Sequence, residues 1–266
     1  MAKDTDRQSF WEHLDVLRAA IVKSLLVAVV FGVVAFCFKD EVFAVILAPK
    51  DAGFITYRLF YALSGLVTES DAPDFLVKLI NTGLSEQFII HIKTALCVGV
   101  LCASPYILYQ LFRFVSPALY VNERKYVIWV VGGGYAMFLF GVLFSYFMIF
   151  PLTFRFLGTY QVSGEVENMI EYDNPESYIS TLMTMSLAMG LVFDIPILSW
   201  LFAKLGFLSA DFIRKYRKHA IVIILVVAAI ITPTSDVFTL SLVALPMWVL
   251  YEISIWIVNK TKGGII

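Results

Sequence analysis

The sequence predicts an all-α, polytopic membrane protein with six transmembrane helices, and three observations support that fold class. Of the 266 residues, 60% are hydrophobic. Charged residues make up only 15%, whereas soluble proteins keep about a quarter of their composition charged. Uncharged runs reach about 20 residues, the length at which a helix crosses ~30 Å of hydrocarbon. We therefore expect a single integral membrane domain over residues 1–266.

Six apolar segments are candidates for the spans. The first, Ala19–Phe38, is longer than the apolar part of a signal peptide and lacks a small-residue cleavage site, which favours a retained span. The last two are expected to be short, because the charge-free core of the fifth, Ala220–Ile231, would make only ~18 Å of helix and Pro246 interrupts the sixth. The six segments cover about residues 19–38, 88–111, 126–150, 178–203, 218–234 and 237–258.

The basic residues predict how the chain is oriented in the membrane. Six spans put both termini on the same side, and that side carries most of the 20 Lys and Arg residues. Basic residues concentrate in the cytoplasmic connections of membrane proteins. We therefore expect both termini and the connection Phe112–Lys125 to be cytoplasmic, with the acidic stretch Glu165–Glu176 outside.

Composition argues against several functional classes. The net charge of −1 favours no nucleic-acid partner. The three cysteines and three histidines lack the spacing of metal ligands, so we expect no metal site. There is no phosphate-binding loop of the Walker type and no His-Glu-x-x-His sequence. We expect no cofactor and no enzymatic activity.

Two acids fall inside predicted spans. A carboxylate at the bilayer centre costs at least ~2.5 kcal/mol on insertion scales, so Asp194, midway along the fourth span, is either functional or makes an interhelical hydrogen bond beside Pro196. Glu252 lies nearer the cytoplasmic end of the sixth span, where we expect it to reach the interface or to pair with a basic residue. Asp236, just before that span, is suited to cap its first turn.

The connection Phe112–Lys125 is unusual for a link between two spans. Its bases Arg124 and Lys125 fit an ordinary positive-inside anchor. That interpretation does not account for the acid Glu123, or for a neighbouring set of aromatic residues and proline: Phe114, Pro117 and Tyr120. A carboxylate flanked by aromatic rings is suited to bind a guanidinium group. The connection is therefore a candidate binding surface.

The N-terminal segment Phe10–Arg18 places polar side chains three residues apart: Glu12, Asp15 and Arg18. On a helix they form a polar ridge, with apolar residues such as Leu14 on a neighbouring face. Such a segment is either an amphipathic helix at the membrane interface or a binding surface, and the pattern favours both equally.

Several of these segments together resemble the TatC family, the signal-peptide receptor subunit of the twin-arginine protein translocase. SPALYVNERK is similar to the family's first cytoplasmic loop, F-x-x-P-x-L-Y-x-x-E-R, and EHLDVLR resembles its N-terminal H-L-x-E-L-R. TPTSDVFTLSLVALPMWVLYEI resembles the segment T-P-x-D-x-x-S-Q…P…YE, and LAPKD carries the proline that follows the first span. The residues that match the loop motif are Phe114, Pro117, Leu119, Tyr120, Glu123 and Arg124.

The resemblance implies a multi-pass protein of the bacterial cytoplasmic (inner) membrane that binds the paired arginines of signal peptides on folded cargo. Glu123 would be the main guanidinium acceptor, in a signal-peptide site with the loop residues and with Leu14 and Arg18. Single-span subunits of the TatA/TatB type would be recruited, in hetero- and homo-oligomers, and export would use the proton motive force. The residues implied for partner contact or transport are Asp194, Pro49, Asp236, Thr239 and Ser241.

The chain departs from the family pattern at three places. The N-terminal motif has an acid where this chain has Val16, and Glu12 and Asp15 are the neighbouring candidates to replace it. The intramembrane acid of the family is usually Glu, and here it is Asp194. The Gln that follows the family's T-P-x-D motif is replaced by Leu240, so the hydroxyl groups of the neighbouring Thr239 and Ser241 would form the partner surface.

Two other classes of function compete with this one. An ion-coupled secondary transporter would use Asp194 as its proton carrier, and it predicts a second intramembrane polar site and an internal repeat. An intramembrane enzyme would need a metal motif or a Ser/His pair. The sequence shows none of these features clearly, which favours the receptor.

Overall fold

The computed structural model describes residues 10–51, 53–64, 78–79, 83, 85–115, 127–159, 172–173, 175–204, 206–232 and 236–262. Most of these residues are helical. A 3-10 turn, Ala48–Lys50, follows α2, and a π-helical segment, Ser145–Ile149, lies between α5 and α6. The α-helices are α1 (Phe10–Cys37), α2 (Lys39–Leu47), α3 (Ile55–Ser64), α4 (Glu86–Val115), α5 (Val127–Phe144), α6 (Phe150–Thr159), α7 (Pro175–Phe193), α8 (Ile195–Lys204), α9 (Ala210–Lys215), α10 (Arg217–Ile231) and α11 (Val237–Lys262).

Two strands of two residues each accompany the helices. β1 (Lys78–Leu79) pairs in parallel with β2 (Tyr172–Asp173), with Lys78 opposite Tyr172. This pairing ties the chain between α3 and α4 to the chain before α7. It is a small addition to a helical bundle, so the predicted all-α class is confirmed.

Among the described residues, five helical stretches are long and apolar enough to cross a membrane. A further apolar helix, α10, has 15 residues and spans ~22 Å, less than the ~30 Å of a typical hydrocarbon core. These helices correspond to the six predicted spans, and the short fifth span is among them. The five longer stretches are Leu14–Cys37, Glu86–Phe114, Val130–Gly158, Pro175–Lys204 and Val237–Thr261.

The last helix, α11, runs without a break through Pro246 and ends at Lys262, a few residues beyond the predicted end near 258. Proline removes one backbone N–H donor from a helix, here the donor to the carbonyl of Leu242. The remaining hydrogen bonds and the packing of buried residues on both sides of the proline, such as Val243 and Met247, keep the helix continuous.

The first two spans are joined by close backbone contact. Small residues of α1 (Ala28 and Gly32) meet Gly99 of α4, where an added Cβ would lie 2.5 Å from the carbonyl oxygen of Ala28 and 2.6 Å from the nitrogen of Gly32. Small residues let helix backbones approach this closely inside a membrane. As residue numbers fall from Gly32 to Ala28 they rise along α4 from Ala95 to Gly99, so the two helices are antiparallel.

The third and fourth spans use the same device. An added Cβ at Gly141 of α5 would lie 2.5 Å from the carbonyl oxygen of Met189 in α7, and one at Gly190 would lie 2.7 Å from the ring of Phe138. Met185 and Met189 are fully buried here. The main core of the bundle therefore lies between the third, fourth and sixth spans.

One end of the bundle, which we call the cap end, is closed by α2, the turn Ala48–Lys50 and α3. Tyrosine hydroxyls bind backbone carbonyls there. Tyr57 lies 3.1 Å from the carbonyl oxygens of both Pro49 and Pro151, and Tyr178 donates to Ile46 at 3.2 Å. These bonds hold the chain after the first span onto the third and fourth spans.

The opposite end, which we call the loop end, contains the start of α1, the end of α4 and the helix α9. Tyr251 of α11 donates a hydrogen bond to the carbonyl of Ile213 at 2.8 Å, and Arg217 forms an ion pair with Glu252. The pairing predicted for Glu252 with a basic residue is therefore present, and it joins the fifth span to the sixth.

Candidate functional site

The packing of α1 against α4 determines which residues meet at the loop end. Both helices rise 1.5 Å per residue, and their closest contact is between Ala28, Gly32 and Gly99. From this contact, Leu14 and Asp15 are reached by counting back along α1. Counting forward along α4 by about as many residues leads to its last residues, from Arg113 to Val115. The N-terminal segment and the start of the connection 112–125 therefore lie at the same level.

Most of the described side chains of the N-terminal segment are exposed. Leu14, Asp15, Val16 and Arg18 are all exposed, and Asp15 forms no ion pair with any residue that the structure describes. Glu12 is part of α1, but its side chain lies outside the described part of the structure. Because Val16 is 44% exposed, the departure from the family pattern is a surface change that leaves the core packing intact.

The connection itself is described only at its start. Phe112 is buried and Phe114 is half-buried at the end of α4. Five of the predicted binding residues lie outside the described residues: Pro117, Leu119, Tyr120, Glu123 and Arg124.

Asp194 occupies a break between two helices of the fourth span. α7 ends at Phe193 and α8 begins at Ile195, and the N–H of Asp194 donates to Leu191 at 3.2 Å, a shorter turn than an α-helix makes. Pro196 has no N–H for the carbonyl of Val192, so one hydrogen bond of a regular helix is missing at this break. The carboxyl group of Asp194 therefore belongs to the residue between the two helices.

The carboxyl group of Asp194 is buried, and one of its two oxygens has no hydrogen-bond partner in the described part of the chain. The residue is 5% exposed, and Oδ1 has no hydrogen-bond partner among the described residues. A buried polar atom without a partner is costly, so its presence calls for an explanation. An interhelical hydrogen bond, the structural role considered for this residue, is not formed by Oδ1 within the described chain.

One residue to which no motif pointed, Gly134, borders this carboxyl group, and the same glycine lies next to Phe112. A Cβ added to Gly134 of α5 would lie 4.0 Å from Oδ1 of Asp194 and 3.3 Å from the ring of Phe112. The signal in the sequence was the run Gly132–Gly134 inside a span, because each glycine costs about 1 kcal/mol of helix propensity relative to alanine. Gly134 is thus close both to the acid and to Phe112, near the end of α4 where the connection 112–125 begins.

The remaining predicted residues lie at the cap end, apart from Asp194. Oδ2 of Asp236 accepts a hydrogen bond from the N–H of Thr239 at 2.7 Å, so the predicted cap of the sixth span is present. Phe238, in the first turn of α11, stacks on Phe156 of α6 with ring centroids 4.3 Å apart. This contact places the start of α11 beside the cap.

The hydroxyl groups near Leu240 differ in their surroundings. Ser241 is exposed, and its Oγ donates to the carbonyl of Val237 at 2.6 Å. Thr239 is fully buried, and its Oγ1 has no partner among the described residues. Pro49 is also buried, with its carbonyl near the hydroxyl of Tyr57. Of these, only Ser241 is placed at the surface, where it could contact a second protein.

An apolar groove opens between α2, α4, α5 and α7. Its volume is about 530 Å³, and residues such as Val45, Leu143 and Met183 line it. Asp194 does not line this groove. Within the described chain no three side chains of His, Cys, Asp or Glu come together as metal ligands would.

The helices and the buried acid define a multi-pass helical membrane protein, and comparison with known sequences places it in a family. The sequence profile of the Sec-independent protein translocase protein TatC matches residues 12–246. TatC of Blattabacterium sp. subsp. Periplaneta americana is 33% identical over 98% of this chain and 100% of its own length. TatC of Desulforapulum autotrophicum is 35% identical over 96% of this chain and 86% of its own length.

Comparison with solved structures agrees. A crystal structure of the twin-arginine translocase receptor TatC superposes with a TM-score of 0.77 at 33% identity, covering 94% of this chain and 100% of the solved chain. A second crystal structure of that receptor, in the detergent DDM, gives a TM-score of 0.75 at the same identity. This chain belongs to the TatC family of Sec-independent protein translocase proteins. The family resemblance drawn from the motifs is confirmed.

Proposed function

We propose that this chain is the receptor component of a twin-arginine translocase and binds the signal peptides of folded cargo proteins at the loop end. The observation that carries the proposal is the register of α1 against α4, which brings Leu14 and Asp15 level with the start of the connection 112–125. The solved relatives are described as twin-arginine translocase receptors. Two segments far apart in sequence then contribute to one binding surface.

In this proposal Glu123 accepts hydrogen bonds from a guanidinium group of the signal peptide, with aromatic residues of the connection beside it. Asp15 supplies the second acid in place of the acid missing at Val16, because its side chain is exposed and forms no ion pair with any described residue. Bidentate pairs between arginine and carboxylate are strong and geometrically selective, which suits the recognition of paired arginines.

Binding of a fluorescent twin-arginine peptide to the purified chain in nanodiscs tests the receptor site. We expect Glu123→Ala to weaken binding at least tenfold, since removing one partner of a charged hydrogen-bonded pair costs 2–5 kcal/mol or more. A peptide with two lysines is the ligand control, because lysine cannot form the bidentate pair. Glu41→Ala, which removes an exposed acid at the cap end, is the matched variant.

The same assay assigns the second acid. Asp15→Ala should also weaken binding of the twin-arginine peptide, whereas Glu12→Ala should have a smaller effect on that binding. Equal binding by wild type and Glu123→Ala, or equal loss in Glu41→Ala, contradicts the proposed site.

We further propose that Asp194 contributes to recruiting single-span partner subunits for export driven by the proton motive force. The support is the position of its carboxyl group at a helix break, with Oδ1 lacking a partner within the described ranges, which packing alone does not explain. With the spans inserted as the basic residues predict, both termini face the cytoplasm and the protein resides in the bacterial inner membrane.

Asp194→Asn separates the functional role from a structural one. Asparagine keeps the shape of the side chain and removes its charge, so we expect the same unfolding temperature together with severalfold weaker export of a folded reporter. Gly132→Ala, in a span but with open space around its Cβ, is the control. Unchanged export by Asp194→Asn, measured with partner subunits present, would mean that this acid serves packing only.

A further inference from the structure

The chain between the fourth and fifth spans contains a basic segment, residues 206–219, that the receptor function does not use. The segment holds α9 and the start of α10, joined at Tyr216. It connects two membrane-spanning helices, so it lies where the bilayer meets water. Four basic residues follow one another closely here: Arg214, Lys215, Arg217 and Lys218.

Packing fixes the inner face of α9. Ala210 and Ile213 are 3% and 7% exposed, and they pack in one cluster with Ile255 and Val258 of α11. Tyr251 donates a hydrogen bond to the carbonyl of Ile213 at 2.8 Å. The side chains on the outer face are therefore held on a fixed helix.

The outer face carries an excess of positive charge. Arg214, Lys215 and Lys218 are exposed and form no ion pair with any described residue, whereas Arg217 pairs with Glu252. Asp211 is the one acid in the sequence of the segment. Three positive charges opposed by one negative charge favour an anionic partner.

Exposed aromatic rings accompany these charges. Phe207 is 79% exposed and Phe212 is 54% exposed, and the ring of Phe212 lies 4.7 Å from that of Tyr216. The ring of His219 follows at 5.6 Å from Tyr216. Aromatic rings beside basic residues at a span end are typical of segments that sit among lipid headgroups.

We propose that the basic segment binds the phosphate groups of anionic phospholipids. The charges select the anionic headgroup, because basic residues grouped at the end of a span attract it. The aromatic rings favour a lipid over a soluble phosphate ion. Phe207 and Phe212 would be shielded from water by the acyl chains of a lipid, which a phosphate ion lacks. The segment lies at the ends of two spans, so the headgroups of the bilayer are next to it.

Lipid retention by the full chain tests this proposal. The purified protein is titrated with phosphatidylglycerol and, separately, with phosphatidylcholine, and bound lipid is counted by native mass spectrometry. We expect a preference for phosphatidylglycerol that declines as salt rises, because salt screens exposed charges. The variant Arg214→Gln/Lys215→Gln/Lys218→Gln should weaken phosphatidylglycerol binding about fivefold per residue, on the order of a hundredfold in all.

Two control variants make the result specific. Arg214→Lys/Lys215→Arg/Lys218→Arg keeps the charge and should keep the lipid. Lys23→Gln/Lys39→Gln/Arg58→Gln removes the same charge at exposed positions elsewhere and should leave the preference intact. An equal loss in this last variant, equal retention of phosphatidylcholine by wild type, or displacement of the lipid by millimolar inorganic phosphate would each overturn the proposal. Peptide binding is measured separately, so a failure of the receptor site does not affect the outcome.

Discussion

The two ends of the bundle are built in different ways. At the cap end, tyrosine hydroxyls bind backbone carbonyls of distant segments, as Tyr57, Tyr146 and Tyr178 do, and Lys93 of the second span pairs with Glu176 of the fourth. At the loop end, a hydrogen bond from Tyr251 and an ion pair of Arg217 also occur, but they join α9 and α10 to α11. The N-terminal helix at that end presents exposed residues such as Asp15. The contrast indicates that the cap end maintains the arrangement of the spans and the loop end is available to ligands.

The close contact of α1 and α4 connects the two ends, since it fixes the level at which the N-terminal segment meets the connection 112–125. Gly99→Ala should therefore have the largest effect on the fold. Its Cβ would lie 2.5 Å from the carbonyl oxygen of Ala28, and backbone atoms cannot move away as a flexible side chain can. We expect destabilisation of about 3 kcal/mol, measured as denaturant unfolding in micelles, with weaker peptide binding.

Gly132→Ala is the matched control for that change. Nothing lies within 4 Å of its added Cβ, and alanine is the better helix former. We expect equal or slightly higher stability. If Gly99→Ala unfolded at the same denaturant concentration as wild type, the proposed register of the two helices would be wrong.

The cap end should respond less strongly and without loss of peptide binding. Tyr57→Phe removes the hydroxyl shared between the carbonyls of Pro49 and Pro151, and a buried carbonyl left without its donor costs about 1–3 kcal/mol. The unfolding free energy should fall by that amount while twin-arginine peptide affinity stays unchanged. Tyr109→Phe, at an exposed position, should change neither. A loss of affinity in Tyr57→Phe would show that the two ends are coupled.

The smallest effect is expected for the ion pair of Arg217 and Glu252 at the loop end. The two side chains are 50% and 30% exposed, and exposed ion pairs contribute about 0.2–1 kcal/mol. A double-mutant cycle of Arg217→Gln and Glu252→Gln measures the coupling. A coupling energy larger than the loss measured for Tyr57→Phe would mean that the loop end depends on this pair more than the cap end depends on Tyr57.

Much of the fold followed from the sequence because the bilayer imposes simple rules. A helix that crosses hydrocarbon must be apolar and about 20 residues long, so the spans were visible as uncharged runs. The cap of the sixth span by Asp236 was predictable for a similar reason, since capping depends on residues three positions apart. The pairing of Glu252 followed from its distance to the membrane surface.

The residues beside Asp194 did not follow from the sequence. Phe112, Gly134 and Asp194 belong to three different spans, and their proximity depends on how the helices rotate about their axes. The glycine run in the third span signalled a close neighbour without naming it. The burial of Thr239 was likewise unpredictable, because exposure of a residue inside a span depends on which helix covers it.

The sequence by itself determined the number of spans and the family, since these depend on hydropathy and on short motifs. Only the tertiary structure decided that the N-terminal segment and the end of α4 lie at one level, and that Asp194 is buried with no partner for Oδ1 among the residues described. The reason is physical: the contact of Gly99 with Ala28 and Gly32 sets the register of two helices, and no local pattern along the chain contains that distance.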